Sequence, residues 1–398
     1  MTTLPTILSG DHPHRSQPRP RLSRSARVFS VARSHVLVLL CVAAAMGCSG
    51  SSANTGGGGG GTPQTATPAI ATTAAQGGAQ IVTLSDTTSD ATIYFTLDGS
   101  TPTVSSAQYF APLLVASNET LRAVAIAAGD TLSQVVTQAF SPSIASGTLV
   151  WSDEFSNSTS SNAQPNPSTW TYDSGAGGWG NQELETYCSW GSSTSPCSTA
   201  NPNTYVGTDG YLHIVAQQPS AGVYTSARLK TEGLFSFMYG RIEARMQIPE
   251  GQGLWPAFWL LGSNIATVNW PACGEQDIME HINAPVPDWV AGSLHGTNLN
   301  LTQDYPGTTG QTFSASDWHV YGMIWTKGEI QYYIDSPSNI YATYTPSSQS
   351  GGTWPFDSGS GAFIILNLAV GGNWPGSPNG TTPFPSQLLV DYVRIYTN

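Results

Sequence analysis

Residues 148–398 carry many short apolar runs, at 211–216, 240–248, 318–325, 330–334, 362–370 and 389–396, each bounded by Gly, Pro, Asn or Asp. No long stretch repeats its apolar residues at the 3.6-residue period of a helix. Runs of this length between turn formers are strands. Without intervening helices they cannot make βαβ units, so the expected fold is a large all-β sandwich. Neither a phosphate-binding loop nor a dinucleotide fingerprint is present.

Charge narrows the partners. Of 13 Lys and Arg, six lie in the first 33 positions: Arg15, Arg19, Arg21, Arg24, Arg27 and Arg33. The rest of the chain has seven basic residues, and the whole chain carries a formal net charge of -12. Such a surface repels a phosphate backbone, so nucleic acid is excluded as a partner and a neutral polymer suits better. Scarce Lys and Glu beside abundant Gly, Ser, Thr and aromatics argue against a helical bundle.

The first 48 residues read as an export signal. A basic segment precedes VLVLLCVAAAM at 36–46, too short to span a bilayer and sized for a signal-peptide core. Ala45-Met46-Gly47-Cys48 resembles a bacterial lipobox with an unusual Met46. Lipid anchoring at Cys48 and free secretion both stay open, and either places the protein outside the cytoplasm. Residues 49–80, rich in Gly, Ser, Thr, Ala and Pro, are expected to be a flexible tether.

Five cysteines are present. Cys188 and Cys197 enclose a Ser- and Thr-rich segment, which suits a local disulfide in an oxidising compartment. Cys273 is left over and reads as a small buried hydrophobe rather than a nucleophile. No Cys/His spacing supports zinc.

Residues 81–146 alternate short strand-like runs, 91–96 and 120–126, with turn chemistry such as Asp98-Gly99-Ser100-Thr101-Pro102. This segment resembles the immunoglobulin-like module of the chitobiase/β-hexosaminidase C-terminal type. The expectation is a small β-sandwich spacer. A sugar-binding role would need exposed aromatics, for which Tyr94, Phe95, Tyr109 and Phe110 are the candidates.

Chemistry concentrates in Gly274-Glu275-Gln276-Asp277-Ile278-Met279-Glu280-His281-Ile282. On a strand, Glu275 and Asp277 share a face, while Glu280 would face away. One bulge supplied by Ile278 and Met279 restores the phase and puts all three carboxylates on one side. Crowded carboxylates raise one another's pKa, so one stays protonated near neutral pH. A carboxylate that attacks an anomeric carbon, beside an acid that protonates the leaving oxygen, is what glycosidic cleavage needs. A calcium site or a solvated acidic face is the alternative at this level; calcium prefers mixed ligands in a loop.

WPACGEQDIMEHI resembles the bulged catalytic strand of glycoside hydrolase family 16. LVWSDEF, GGWGNQELETY, the long segment from YTSARLK to PAFWLLG, LHG, ILNLAVGGNWPG and VDYVRIY appear in the family's order, from about Leu149 to Tyr396. The similarity is to the bacterial endo-β-1,3-glucanases, or laminarinases, and it implies a β-jelly-roll over 148–398. It further implies Glu275 as nucleophile, Glu280 as acid/base and Asp277 as a helper carboxylate, with retention of configuration and carboxyl groups about 5–5.5 Å apart. His295 resembles a cleft histidine. Gln276 departs from an apolar position, and its side chain is expected to point away from the carboxylates.

Sugar rings stack their C–H faces on indoles and offer hydroxyls to nearby polar groups. By resemblance Trp255 and Trp270 line the groove, with Trp259 either beside them or in the core. Asn181 and Arg228 match sugar-binding positions, with a turn hydrogen bond and a solvated strand end as their plain alternatives; Trp374 is a weaker candidate. The family's structural calcium would fall on Glu154, the Gly210 carbonyl and Asp391. No cofactor is expected for catalysis, and a monomer suffices. The implied substrate is β-1,3-glucan. Mixed-linkage 1,3-1,4-glucanase, agarose or galactan hydrolysis, transglycosylation and non-catalytic glucan recognition are the alternatives, and the presence of both Glu275 and Glu280 opposes the last.

Overall fold

A computed structural model describes residues 61–156, 159–283, 288–306 and 313–398. The export segment, with Cys41 and Cys48, lies outside the described residues. Among those described, no helix is long and apolar enough to cross a membrane. The longest α-helix among the described residues is the single turn Ile265–Val268.

Residues 148–398 form a β-jelly-roll of two sheets. The ten-stranded sheet is centred on Leu212–Ser220, Ser386–Tyr396, Gly240–Gln247 and Trp318–Thr326. The seven-stranded sheet runs in the order Leu299–Tyr305, Val290–Gly296, Glu275–Glu280, Leu254–Gly262, Ala362–Val370, Arg228–Lys230, Thr171–Asp173. Alternation explains the layering. Leu212, Ile214 and Ala216 from one sheet, and Leu254, Phe258 and Leu260 from the other, enter one shared core. Ala362–Val370 is buried along all nine residues and anchors the centre of the second sheet.

The preceding module is a small β-sandwich with its own core, including Val82, Phe95, Leu121 and Phe140. Its sheets are three- and four-stranded. The sequence boundary at residue 80 cuts through it. Ala69–Ala74 pairs antiparallel with Gln80–Ser85, and Thr65 is buried. The strand is Ala and Thr apart from Ile70, which alone packs on the module core, so composition by itself reads it as tether. Of the four candidate aromatics, Phe95 is in the core, while Tyr94, Tyr109 and Phe110 are half-buried. None is an exposed sugar platform.

The module is joined to the jelly-roll by backbone pairing. Leu114 N–H donates to the Ser236 carbonyl at 3.0 Å, and Ser236 N–H donates to the Pro112 carbonyl at 2.9 Å. Gln76 Nε2 reaches Ser152 Oγ at 3.1 Å. Ala79 sits in the jelly-roll core, and Leu114 packs against it. Module and jelly-roll therefore share a dry contact as well as a covalent link.

Candidate active site

The strand Glu275–Glu280 is third in the seven-stranded sheet, so it is paired on both sides. Against Leu254–Gly262, Leu261 faces Glu275 and Trp259 faces Asp277; the register then slips, and Phe258 faces Met279 and Ala257 faces Glu280. On the other side Glu275 faces His295, Asp277 faces Ser293 and Glu280 faces Ala291, again with a slip after Asp277. The slip is one inserted residue. Ile278 and Met279 are adjacent yet both enter the core, at 1% and 0% exposure. That double inward step is the bulge, and it returns Glu280 to the face of Glu275 and Asp277. Gln276 is buried on the opposite side.

Each carboxyl has distinct partners. Trp270 Nε1 donates to Glu275 Oε2 at 2.6 Å. Trp255 Nε1 donates to Glu280 Oε1 at 3.1 Å, and Ser293 Oγ approaches its other oxygen at 3.5 Å. His295 Nε2 lies 3.1 Å from Asp277 Oδ2. Glu275, Asp277 and His295 bring ligand-type atoms within 4.8 Å of one another, a cluster that could also hold a metal ion.

Burial sets the charge states. It raises Glu280 to about 8, with the Asp277 charge adding to it and His295 and Trp255 opposing it. Asp277 rises to about 7 through burial and its neighbour Glu275. Glu275 is raised by burial too, but the His295 charge and the Trp270 hydrogen bond pull it back. His295 is pushed up to about 9: burial opposes its charge, and the bond to Asp277 and the surrounding carboxylates outweigh that. At neutral pH the face holds a protonated imidazole and a carboxyl, Glu280, that keeps its proton. Two nearby carboxyl groups with separated roles are the signature of acid–base pairs.

The sequence candidates for sugar contact fall into two groups. Trp255 meets Trp374 edge-on at 5.3 Å, and Trp374 meets Trp289 at 5.9 Å. Trp270 and Trp374 are exposed, at 55% and 39%. Trp259 shares the strand face of Trp255 and donates from Nε1 to Asn367 Oδ1 at 2.8 Å. The Arg228 guanidinium lies 4.6 Å over Trp259 and 5.6 Å over Trp179, and pairs with Asp173 at 3.1 Å. It is a braced cation between two indoles, not a solvated strand end. Asn181 makes the expected turn bond, its N–H donating to Gly178, while its carbonyl accepts from Asn373 N–H at 2.7 Å.

Several residues on this face escaped the sequence reading. Asn367 Nδ2 donates to the Tyr187 hydroxyl at 3.3 Å, and that hydroxyl donates to Glu183 Oε2 at 3.0 Å. Glu183 Oε1 also accepts from Asn181 at 3.4 Å. Asn367 was findable: it is the one polar residue in the apolar run Ala362–Val370. Glu183, Glu185 and Tyr187 recur at every second position, which marks one face of an extended segment.

The calcium candidates are placed differently. Glu154 is on the chain just past Leu149–Asp153, which pairs with Ser386–Tyr396, the strand that holds Asp391. Gly210 precedes Leu212, whose partner is Val390. All three thus converge on one region of the ten-stranded sheet. Arg394 holds both oxygens of Glu154, at 2.9 and 2.7 Å, and Arg245 holds Asp391 at 2.8 Å. As placed, both carboxylates are neutralised by arginine, which does not fit a cation site. Elsewhere, Cys188 and Cys197 form a disulfide with Cα atoms 5.7 Å apart, and Cys273 is free and buried, its thiol pushed up to about 11 by burial.

A jelly-roll that displays a proton-holding carboxyl and a second carboxylate among exposed indoles defines a glycoside hydrolase. The pattern of glycosyl hydrolases family 16 matches residues 191–394, and that of the chitobiase/beta-hexosaminidase C-terminal domain matches residues 72–137. The chain belongs to glycosyl hydrolases family 16. It is 40% identical to a beta-glucanase of Rhodothermus marinus, over 62% of this chain and 84% of that one. It is 34% identical to glucan endo-1,3-beta-glucosidase A1 of Niallia circulans, covering 64% of this chain but 38% of that protein. The X-ray structure of an endo-beta-1,3-glucanase from Pyrococcus furiosus superposes with a TM-score of 0.54 at 39% identity, over 63% of this chain and 94% of that one.

Proposed function

We propose that this enzyme is an extracytoplasmic, retaining endo-1,3-β-glucanase acting on laminarin-like polymers. The observation that carries the reading is the bulge at Ile278, which turns Glu280 onto the face of Glu275 and leaves their environments unequal. Glu280 gives its proton to the glycosidic oxygen as the bond to the anomeric carbon breaks. Glu275 attacks that carbon from the opposite side and forms a glycosyl ester. Glu280, now a carboxylate, takes a proton from water, and the hydroxide displaces Glu275 with a second inversion. Asp277 and His295 hold Glu275 in place and balance its charge. Trp255, Trp259, Trp270, Asn181 and Arg228 bind the sugar chain along the same face.

Support for the 1,3-linkage comes from the relatives' names together with the WPAFW and NWPG segments of this chain. The test is reducing-sugar release from laminarin, lichenan, agarose and xyloglucan in parallel, with products sized. Short oligomers from laminarin are expected. Release from lichenan alone moves the assignment to the mixed-linkage enzymes. Laminarin binding without cleavage makes the protein a recognition module.

A structural calcium at Glu154, Gly210 and Asp391 would have to displace two arginines. Exhaustive chelation is therefore expected to leave the melting temperature unchanged; a fall restores the ion.

A further inference from the structure

The sandwich has a hollow on the sheet away from the carboxylates. Its volume is about 510 Å³, within the range of small-molecule sites. Val215 and Gln217 line it; they alternate with the core residues Ile214 and Ala216, so they face outward from the ten-stranded sheet. Gln387, opposite Val215, lines it too. The carboxylates stand on the outward face of the other sheet, with the shared core between.

The chemistry of this wall is that of a neutral polyhydroxyl ligand. Among the described residues that line it, none is charged; amides, prolines, Ala200, Val215 and the rings of Tyr205 and Phe384 make it up. The amides are held in fixed orientations. Gln387 is tied to His213 Nδ1 at 2.8 Å, and His213 Nε2 is held by Asp209 at 3.0 Å, so one end of the Gln387 amide is fixed and the other faces a ligand. Gln217 Nε2 donates to the Asn201 and Pro202 carbonyls at 3.1 and 3.2 Å, leaving Oε1 as an acceptor. Tyr205 is stacked on His213 at 4.5 Å, which fixes its ring plane. Oriented amide groups beside rigid rings match hydroxyls and C–H faces together.

A second observation is independent of the hollow. Among the described residues three tryptophans are exposed: Trp270 and Trp374 at the catalytic face, and Trp190 at 36%. Trp190 donates from Nε1 to the carbonyl of Asn162 at 3.3 Å, and Asn162 lines the hollow. The Cys188–Cys197 disulfide staples the loop that carries Trp190. The indole is thereby fixed beside an amide-lined hollow, where its ring face suits the C–H face of a sugar.

We infer that this hollow is an auxiliary binding site for a neutral β-glucan chain, which keeps the enzyme on its polymer while the opposite face cleaves. The inference rests on the glucan reading of the catalytic face. The wall excludes sulfated or phosphorylated ligands, which would require cationic partners.

The test uses the full chain carrying Trp190→Ala, Gln387→Ala or both, with the unaltered chain as control. Two readouts are taken: retardation in native gels containing laminarin, and kinetics on a short soluble laminari-oligosaccharide. Retardation is expected to fall at least threefold in the double variant, with oligosaccharide kcat/KM within twofold of the control. Unchanged retardation overturns the site. So does an equal loss on the oligosaccharide, which would place these residues in service of the catalytic face or the fold. Laminarin hydrolysis by the control separates the two claims: hydrolysis with unchanged retardation overturns the auxiliary site alone, whereas neither hydrolysis nor retardation overturns the substrate reading as well.

Discussion

The indole N–H of Trp255 donates to Glu280 Oε1 at 3.1 Å from the neighbouring strand of the same sheet. The bond favours the carboxylate form and so works against the burial that raises Glu280. Trp255→Phe keeps an aromatic ring and removes the donor. We expect kcat to fall about ten- to a hundredfold, the range for losing one hydrogen bond to a charged group. The alkaline limb of the pH profile should move upward, because Glu280 then holds its proton more tightly. An unmoved limb would separate Trp255 from the acid.

Glu275→Ala and Glu280→Ala should each leave a folded protein that binds laminarin but cleaves it about 10³-fold more slowly or worse. Near-normal turnover in either removes the role assigned to that residue. Asp277→Asn should cost less, about ten- to a hundredfold. It should also lower the alkaline limb, since the Asp277 charge is one of the causes that hold Glu280 up.

The unaltered enzyme should lose activity as pH rises through about 8, where Glu280 gives up the proton it must donate. The acid limb should track protonation of Glu275, whose carboxylate is the attacking form.

Stability should fall over the same rise in pH. The folded pKa of Glu280 lies above the ordinary carboxyl value, so the residue is neutral and harmless at low pH and imposes a buried charge as pH rises toward about 8. Glu280→Gln removes that charge. Its melting temperature should match the parent near pH 4, about the unfolded carboxyl value, and exceed it by at least about 3 °C above pH 8. A gap that is constant with pH would trace the gain to packing instead.

Residues 148–398 alone should melt at least about 5 °C below residues 61–398. Removing the module exposes the apolar surface that Ala79 and Leu114 cover and frees the backbone of Ser236. Equal melting temperatures would make the module a spacer.

Much of this was readable in the residues. The carboxylate spacing of Glu275, Asp277 and Glu280 only makes sense with a bulge, and the flanking Ile278 and Met279 supply it. What stayed hidden depends on partners distant in sequence. Ser293 and Asn367 matter because strand pairing brings them beside Glu280 and Trp259. Glu183 gains its role only once Tyr187 and Asn181 converge on it. Ala69–Ala74 reads as tether because a single packed apolar residue, Ile70, among exposed Ala and Thr makes no alternation. The arginine partners of Glu154 and Asp391 come from strands far along the chain, so local acidity could not reveal them.

Azide rescue with an activated β-glucosyl-β-1,3-glucoside substrate separates attack by Glu275 from proton transfer by Glu280. In Glu275→Ala, azide fills the vacated space and attacks once, so the product should be the α-glycosyl azide. In Glu280→Ala, azide intercepts the ester on Glu275, so the product should be the β-glycosyl azide. The same anomer from both variants, or the two reversed, would contradict the assignment.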